Sequence, residues 1–193
     1  MCSTLLNGIR LESPLVGRSR ETAVLRYGDT SVRERPFLGH INLRGDAADD
    51  SFTDCVARIV SVALPLSPNT TRESGERTVC WLCPSEWLIV CPGDDEQPLA
   101  DQLREGLCFQ FASVVQIGGG QTVFCLEGDG ARELLAKGCP LDLHARVFRI
   151  GQCAQTHVVK APVLLRPIAG GIELVVRRSF ADYLWQWLEA AAR

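Results

Sequence analysis

The segment RRSFADYLWQWLEA, residues 177–190, carries apolar side chains at helical spacing. At about 100° per residue, Phe180, Tyr183, Leu184, Trp187, Leu188 and Ala191 spread over one broad face, and Ala181 and Trp185 extend it on the other flank. Asp182, Gln186, Glu189 and Arg193 gather on the polar side. Ser179 followed by Asp182 is the Ser-x-x-acid pattern that satisfies free N–H groups at a helix start, and an acid there complements the positive end of the helix dipole. The apolar arc is on the order of 200°, about twice what a helix needs to lie on its own core. Its main face is expected to pack on an internal sheet. The Trp185 flank, with the cations Arg177 and Arg178 at the positive end of the helix, is the candidate contact for a second protein.

The segments before this helix supply that sheet. Strands are predicted at 154–160, 163–165 and 172–176, each rich in β-branched residues and bounded by turn residues. TVCWLCPSEWLIVCPG reads as a hairpin of strands 78–83 and 86–91 around Pro84-Ser85. A strand is expected over 37–44, and further strands over 111–117 and 122–126 around the turn Gly118-Gly119-Gly120. Asp50, Ser51 and Asp54 open a helix carrying Phe52, Val56, Ile59, Val60 and Ala63, which Leu64-Pro65 ends. A second helix runs through Leu99, Leu103 and Leu107. A third, ARELLAK, begins at Asp129 and closes on Gly138 as a left-handed cap. The polar run 64–77 is expected to be a loop. Several strand pairs have connections too short for parallel crossovers, so the fold expected is α+β, a largely antiparallel sheet with packed helices. Residues 1–30, without sustained periodicity, are expected to form an N-terminal arm, and 31–193 a single α+β domain.

Composition narrows the function classes. The 193 residues are 46% hydrophobic with a formal net charge of −3, which gives no basic excess for nucleic acid or an anionic membrane. No apolar run approaches the roughly 20 residues of a membrane span, and the first residues lack a secretory pattern, so a soluble cytoplasmic protein is expected. Nine cysteines, an odd number lying mostly in apolar segments, read as reduced thiols acting as small hydrophobes.

No constellation in the sequence amounts to a catalytic unit. Cys80 and Cys83 have the spacing of a redox or zinc pair, but they sit in a strand, and neither a second Cys-x-x-Cys nor a close His pair accompanies them. The three glycines at 118–120 lead into a strand and not into a helix that would offer its N–H groups to a phosphate. Cys139 with His144, and Cys153 with His157, lack an orienting acid or an oxyanion pattern. His40, between Gly39 and Ile41, reads as a hydrogen-bonded structural histidine. No catalytic, cofactor-binding or metal-binding residue is therefore assigned.

The blocks ESPLVG (12–17), RERPFLGHINLRGD (33–46), LPLSPNTT (64–71), WLCPSEWLIVCP (81–92), CAQTHVVKAPVLL (153–165) and above all KGCPLDLH (137–144) and RRSFADYLWQWL (177–188) resemble the gamma subunit of heterotetrameric sarcosine oxidase. The resemblance implies a fold similar to the folate-binding domain of glycine-cleavage T-protein. It also implies assembly with alpha, beta and delta chains, the main contact being with alpha, into a complex that oxidatively demethylates sarcosine to glycine. Hydrogen peroxide is the second product, and the one-carbon unit leaves as formaldehyde or as 5,10-methylenetetrahydrofolate. FAD, FMN, NAD, zinc and tetrahydrofolate are then expected in the partner subunits and no cofactor in this chain. The alternatives are a subunit of a related N-methyl amine demethylase and a stand-alone folate-binding one-carbon transfer protein.

Overall fold

Apolar residues dominate QTVFCLE, APVLLRPI and GIELVVR, and these segments form the three longest neighbouring strands of one sheet: β10 (Gln121–Glu127), β12 (Ala161–Ile168) and β13 (Gly171–Arg177). Strands are numbered in chain order. In the computed structural model, which describes residues 3–6, 9–17 and 24–193, the fold is α+β, and every strand pairing among the described residues is antiparallel. The chain divides into two units that interleave along the sequence. The first comprises Met1–Phe37, Gly120–Ile150 and Ala154–Arg193, the second Leu38–Gly119 and Gly151–Cys153.

The sheet of the first unit also contains β3 (Val24–Tyr27), β4 (Thr30–Arg35) and β11 (Ala154–Val158), in the order β11-β12-β13-β10-β4-β3. Register places Phe124 opposite Leu174 and Leu174 opposite Leu165, and likewise Leu126 opposite Ile172 and Val176 opposite Val163. Because side chains alternate across a sheet, these residues share one face, which packs with α3 (Ala131–Ala136) and α4 (Arg178–Ala191) into a single apolar core. Gly171 is required by this pairing, since a Cβ there would lie 2.0 Å from the Leu126 carbonyl oxygen. Residues expected to form the arm contribute β3 to this sheet and a separate hairpin, β1 (Ser3–Leu6) with β2 (Ile9–Glu12).

Gly138 does not act as a left-handed cap. It is absent from the positive-φ positions, and α3 ends on Lys137 in right-handed geometry. Its role is close approach, because a Cβ at this position would meet the Trp187 ring at 2.5 Å.

The second unit holds five strands in the order β6-β7-β8-β5-β9. These are β5 (Gly39–Arg44), β6 (Thr71–Ser74), β7 (Arg77–Cys83), β8 (Glu86–Cys91) and β9 (Ser113–Gln116). The hairpin around Pro84-Ser85 forms as expected, with a bulge between Trp81 and Cys83. Strand β6 falls in the segment expected to be a loop. Its residues, TRES, are polar because it is an exposed edge strand paired only with β7.

Helices α1 (Asp50–Val60) and α2 (Glu96–Gly106) pack with the sheet through Phe52, Val56, Leu99 and Leu103. Asp49 caps α1 by accepting the Ser51 N–H at 2.8 Å, which satisfies one of the free donors at the helix start. Ser61, in left-handed geometry at φ 61°, ends the helix. The segments 111–117 and 122–126 do not flank a hairpin turn. Their cores, β9 and β10, belong to different sheets, and Gly118–Gly120 forms a 3-10 turn.

Candidate functional site

The junction of β13 and α4 was the sequence's candidate for partner contact, and its geometry follows from the absence of a loop there. Strand β13 ends at Arg177 and α4 begins at Arg178, so the N-cap position falls on Arg177 in extended geometry (φ −64°, ψ 138°), without a side-chain cap. The expected Ser179/Asp182 capping box therefore does not form. Both residues lie inside the helix, and Asp182 Oδ2 accepts from Gln186 Nε2 one turn later at 2.5 Å.

Arg177 is exposed. Arg178 is partly buried and donates from its guanidinium to the Glu12 carbonyl at 2.6 Å, which ties the segment after β2 to the helix start. That segment is also held at Ser13. The Ser13 hydroxyl donates to Glu34 and accepts the Leu15 N–H at 2.9 Å, while Thr122 Oγ1 donates to Glu34 at 2.6 Å.

Trp185 is not on the flank where the sequence placed it. Its side chain is 0% exposed, meets Phe124 edge-on at 5.6 Å and 74°, and donates from Nε1 to Glu189 Oε1 at 2.9 Å. The indole is a core group and is not available to a partner's surface. The sheet-facing seam is Ala181, Leu184, Trp185 and Leu188, all buried. This is the i, i+3, i+4, i+7 stripe, and the small Ala181 on it is the sequence signal for close approach to the sheet. The outer aromatic is Tyr183, 38% exposed, which meets Phe180, itself packed at the edge of the core, edge-to-face at 6.5 Å.

Of the residues considered for chemistry, Cys83, Cys153 and His40 have partners within the fold. The eight described cysteines are thiols. Burial, reinforced by Glu96 and Asp95, pushes the Cys91 thiol up to about 12, and burial beside Glu173 and Glu127 pushes Cys125 up to about 11. Neither supplies a thiolate at neutral pH. Cys83 Sγ lies 3.7 Å from Glu86 Oε2, and Cys153 Sγ points at the carbonyls of Thr70 and Trp81. Among the described residues, no group of three or more His, Cys, Asp or Glu side chains is arranged to hold a metal ion.

His40 is wholly buried, and its Nδ1, 3.0 Å from the Leu38 carbonyl, carries the proton. Desolvation holds its pKa down at about 4, so the ring is neutral at physiological pH. Glu96, at the start of α2, accepts the N–H groups of His40 at 3.1 Å and of Gly118 at 2.9 Å. The glycine turn thus offers Gly118 to the chain's own carboxylate. A Cβ at Gly118 would lie 2.6 Å from that carboxylate, and one at Gly39 would lie 2.7 Å from Cys91 Sγ.

One charged cluster is buried in the first unit. Glu173, 4% exposed, accepts from Arg35 and from Arg166 Nε at 2.8 Å. The two arginines pair this carboxylate, which is how a buried charge is tolerated. No helix of the described residues is long and apolar enough to cross a membrane.

The model of the sarcosine oxidase, gamma subunit family matches residues 44–193. Sarcosine oxidase subunit gamma of Corynebacterium sp. (strain P-1) is 31% identical over 163 residues, which is 83% of this chain and 79% of that protein. Among solved structures, a chain of the heterotetrameric sarcosine oxidase from Corynebacterium sp. U-96, in complex with pyrrole 2-carboxylate, superposes with a TM-score of 0.84. It is 26% identical, with 94% of each chain covered. Glycine cleavage system aminomethyltransferase T from Bartonella henselae has a TM-score of 0.60 at 13% identity, covering 81% of this chain and 44% of that one; this likeness is one of fold. With the family model matching residues 44–193, well over half of the chain and including all four α-helices, this chain belongs to the sarcosine oxidase gamma subunit family.

Proposed function

We propose that this chain is the gamma subunit of a heterotetrameric, flavin-dependent sarcosine oxidase, and that it supports the alpha chain without itself carrying out chemistry. The observation that carries this reading is the end-to-end likeness to a chain of such a heterotetramer, at a TM-score of 0.84 over 94% of both chains. The interior supports it. The buried thiols Cys91 and Cys125 are held protonated, the buried histidine is held neutral, and the buried carboxylate is neutralised by two arginines.

In this reading the methyl C–N bond of sarcosine is oxidised on other subunits, which carry FAD, FMN, NAD, zinc and tetrahydrofolate. Glycine is released, oxygen is reduced to hydrogen peroxide, and the one-carbon unit leaves as formaldehyde or as 5,10-methylenetetrahydrofolate. Around the start of α4, the residues that meet alpha are Arg177 and Tyr183, both exposed, while Arg178 positions the helix start from within.

The test is co-expression of this chain, affinity-tagged, with the alpha, beta and delta reading frames of its source. Co-purification of three further chains with sarcosine-dependent oxygen uptake is expected. Recovery of the tagged chain alone, with the remaining three forming a fully active enzyme, would reject the reading.

A further inference from the structure

The loop between α2 and β9 reverses the usual arrangement of its residues. Phe109 and Phe111 are 99% and 103% exposed, while the Gln110 between them has its Oε1 covered. The loop is held at both ends. Leu107 is buried in the core of the second unit and Ala112 packs against it. Gln110 N–H donates to the Leu107 carbonyl at 2.9 Å, Ala112 N–H donates to the Gln110 carbonyl at 2.9 Å, and Gln110 Nε2 reaches Ser51 Oγ at 3.1 Å. Two rigidly presented phenyl rings with a polar residue turned inward are the opposite of what burial within one chain selects.

The frame around the rings is predominantly acidic, with Arg58, exposed on α1 and donating to Cys55 Sγ at 3.7 Å, as its counter-charge. Ser51 donates from both its N–H and its hydroxyl to Asp49, so that carboxylate stands two hydrogen bonds from Gln110. Asp50 and Asp54 are exposed on the same helix, and Glu105 is exposed at the base of the loop. The nearby Arg104 is engaged by Asp101 at 2.8 Å and by Gln116 at 3.1 Å, and the segment 105–112 contains no basic residue. An anionic lipid surface is disfavoured by this charge. A second copy of the chain, meeting through a two-fold axis, would set carboxylates against carboxylates.

We propose that Phe109 and Phe111 form a docking prong that inserts into an apolar cleft, rimmed by lysine or arginine, on a neighbouring subunit of the complex. The proposal rests on the heterotetramer reading above. Its energetic core is the aromatic pair, and the carboxylates supply steering and register.

The test uses the co-expressed complex and follows release of this chain on dilution by native mass spectrometry. The Phe109→Ser/Phe111→Ser double variant is expected to raise the apparent Kd by about a hundredfold. Asp54→Lys is expected to raise it by about tenfold, with weaker salt dependence. Far-ultraviolet circular dichroism of the released chains should be the same as for the parent, because both rings and Asp54 lie outside the core. A double variant that assembles as tightly as the parent overturns the prong while leaving the subunit reading in place. If the parent chain itself fails to assemble, both fall. Phenylalanine-dependent dimerisation of the chain, or its binding to vesicles containing phosphatidylserine, overturns the assignment of the partner.

Discussion

Replacement of Trp185 by alanine should unfold this subunit before it affects any interface. The indole is completely enclosed, between Phe124 of β10 and the buried seam of α4. Truncating such a tryptophan typically costs about 3–5 kcal/mol through lost transfer energy and the cavity left behind. The edge-to-face contact accounts for about 0.5–1.5 kcal/mol of this, and the bond from Nε1 to Glu189 for about 1 kcal/mol.

For a chain of this size, each kcal/mol moves the midpoint of thermal unfolding by roughly 2–4 °C, so a fall of about 10 °C is expected. Trp185→Phe keeps most of the apolar volume and loses the N–H, and should cost about 1–2 kcal/mol. Tyr183→Ala, on the outer face of the same helix, should cost under about 1 kcal/mol. Differential scanning calorimetry of the three variants against the parent checks the ordering. A Trp185→Ala chain that melts within about 1 °C of the parent, yet no longer co-purifies with alpha, would refute the placement of the indole in the core.

Acid should weaken the fold through His40. Its folded pKa of about 4 lies below the ordinary 6.5, so between these values the unfolded chain binds a proton that the folded chain does not. Stability is complete above about pH 6.5 and falls by about 3 kcal/mol as pH drops to 4; urea midpoints should show this slope and His40→Gln should flatten it, whereas equal slopes would contradict it. Gly138→Ala forces a Cβ against the Trp187 ring and should cost about 1–3 kcal/mol, read as a lowered melting midpoint; an unchanged midpoint would show that the helix can move aside. Arg178→Ala removes the tie to the Glu12 carbonyl and should speed amide exchange in residues 12–16 while leaving α1 protected; equal exchange of residues 12–16 in the variant and the parent would place the tie elsewhere.

Much of the fold was legible because local signals and burial agreed. The hairpin at 77–91 announced itself through Pro84-Ser85 between two apolar runs, and α1 through Asp50, Ser51 and Asp54 among Phe52 and Val56, although the capping residue is Asp49. Strand β6 escaped because an exposed edge strand carries no apolar alternation to detect. The sheet assignment of β9 and β10 escaped because adjacency in sequence predicts pairing, and here the chain passes from one unit to the other at Gly119. Gly138 was recognised as special, for the wrong reason. A left-handed cap and a close contact both call for glycine, and only the position of Trp187 distinguishes them.

The site was legible in part. Arg177 is exposed as expected, but Trp185 was assigned to the wrong side of α4 because the apolar arc is broad enough to hold two overlapping stripes. Two local features decided between them: the small Ala181, which lets the helix approach the sheet, and Glu189, which satisfies the indole N–H one turn away and frees Trp185 from any need to reach water. The Phe109/Phe111 loop was hidden because Phe111 in a run of apolar residues reads as the start of a strand. Only the observed strand start at Ser113 leaves both rings outside.

Native mass spectrometry of the enzyme purified through a tag on its alpha chain decides whether this chain is an integral subunit of a sarcosine-oxidising heterotetramer. One assembly is expected whose mass includes a single copy of this 21.2 kDa chain, present together with sarcosine-dependent peroxide formation. A fully active assembly lacking that mass, with the chain found free, would contradict it.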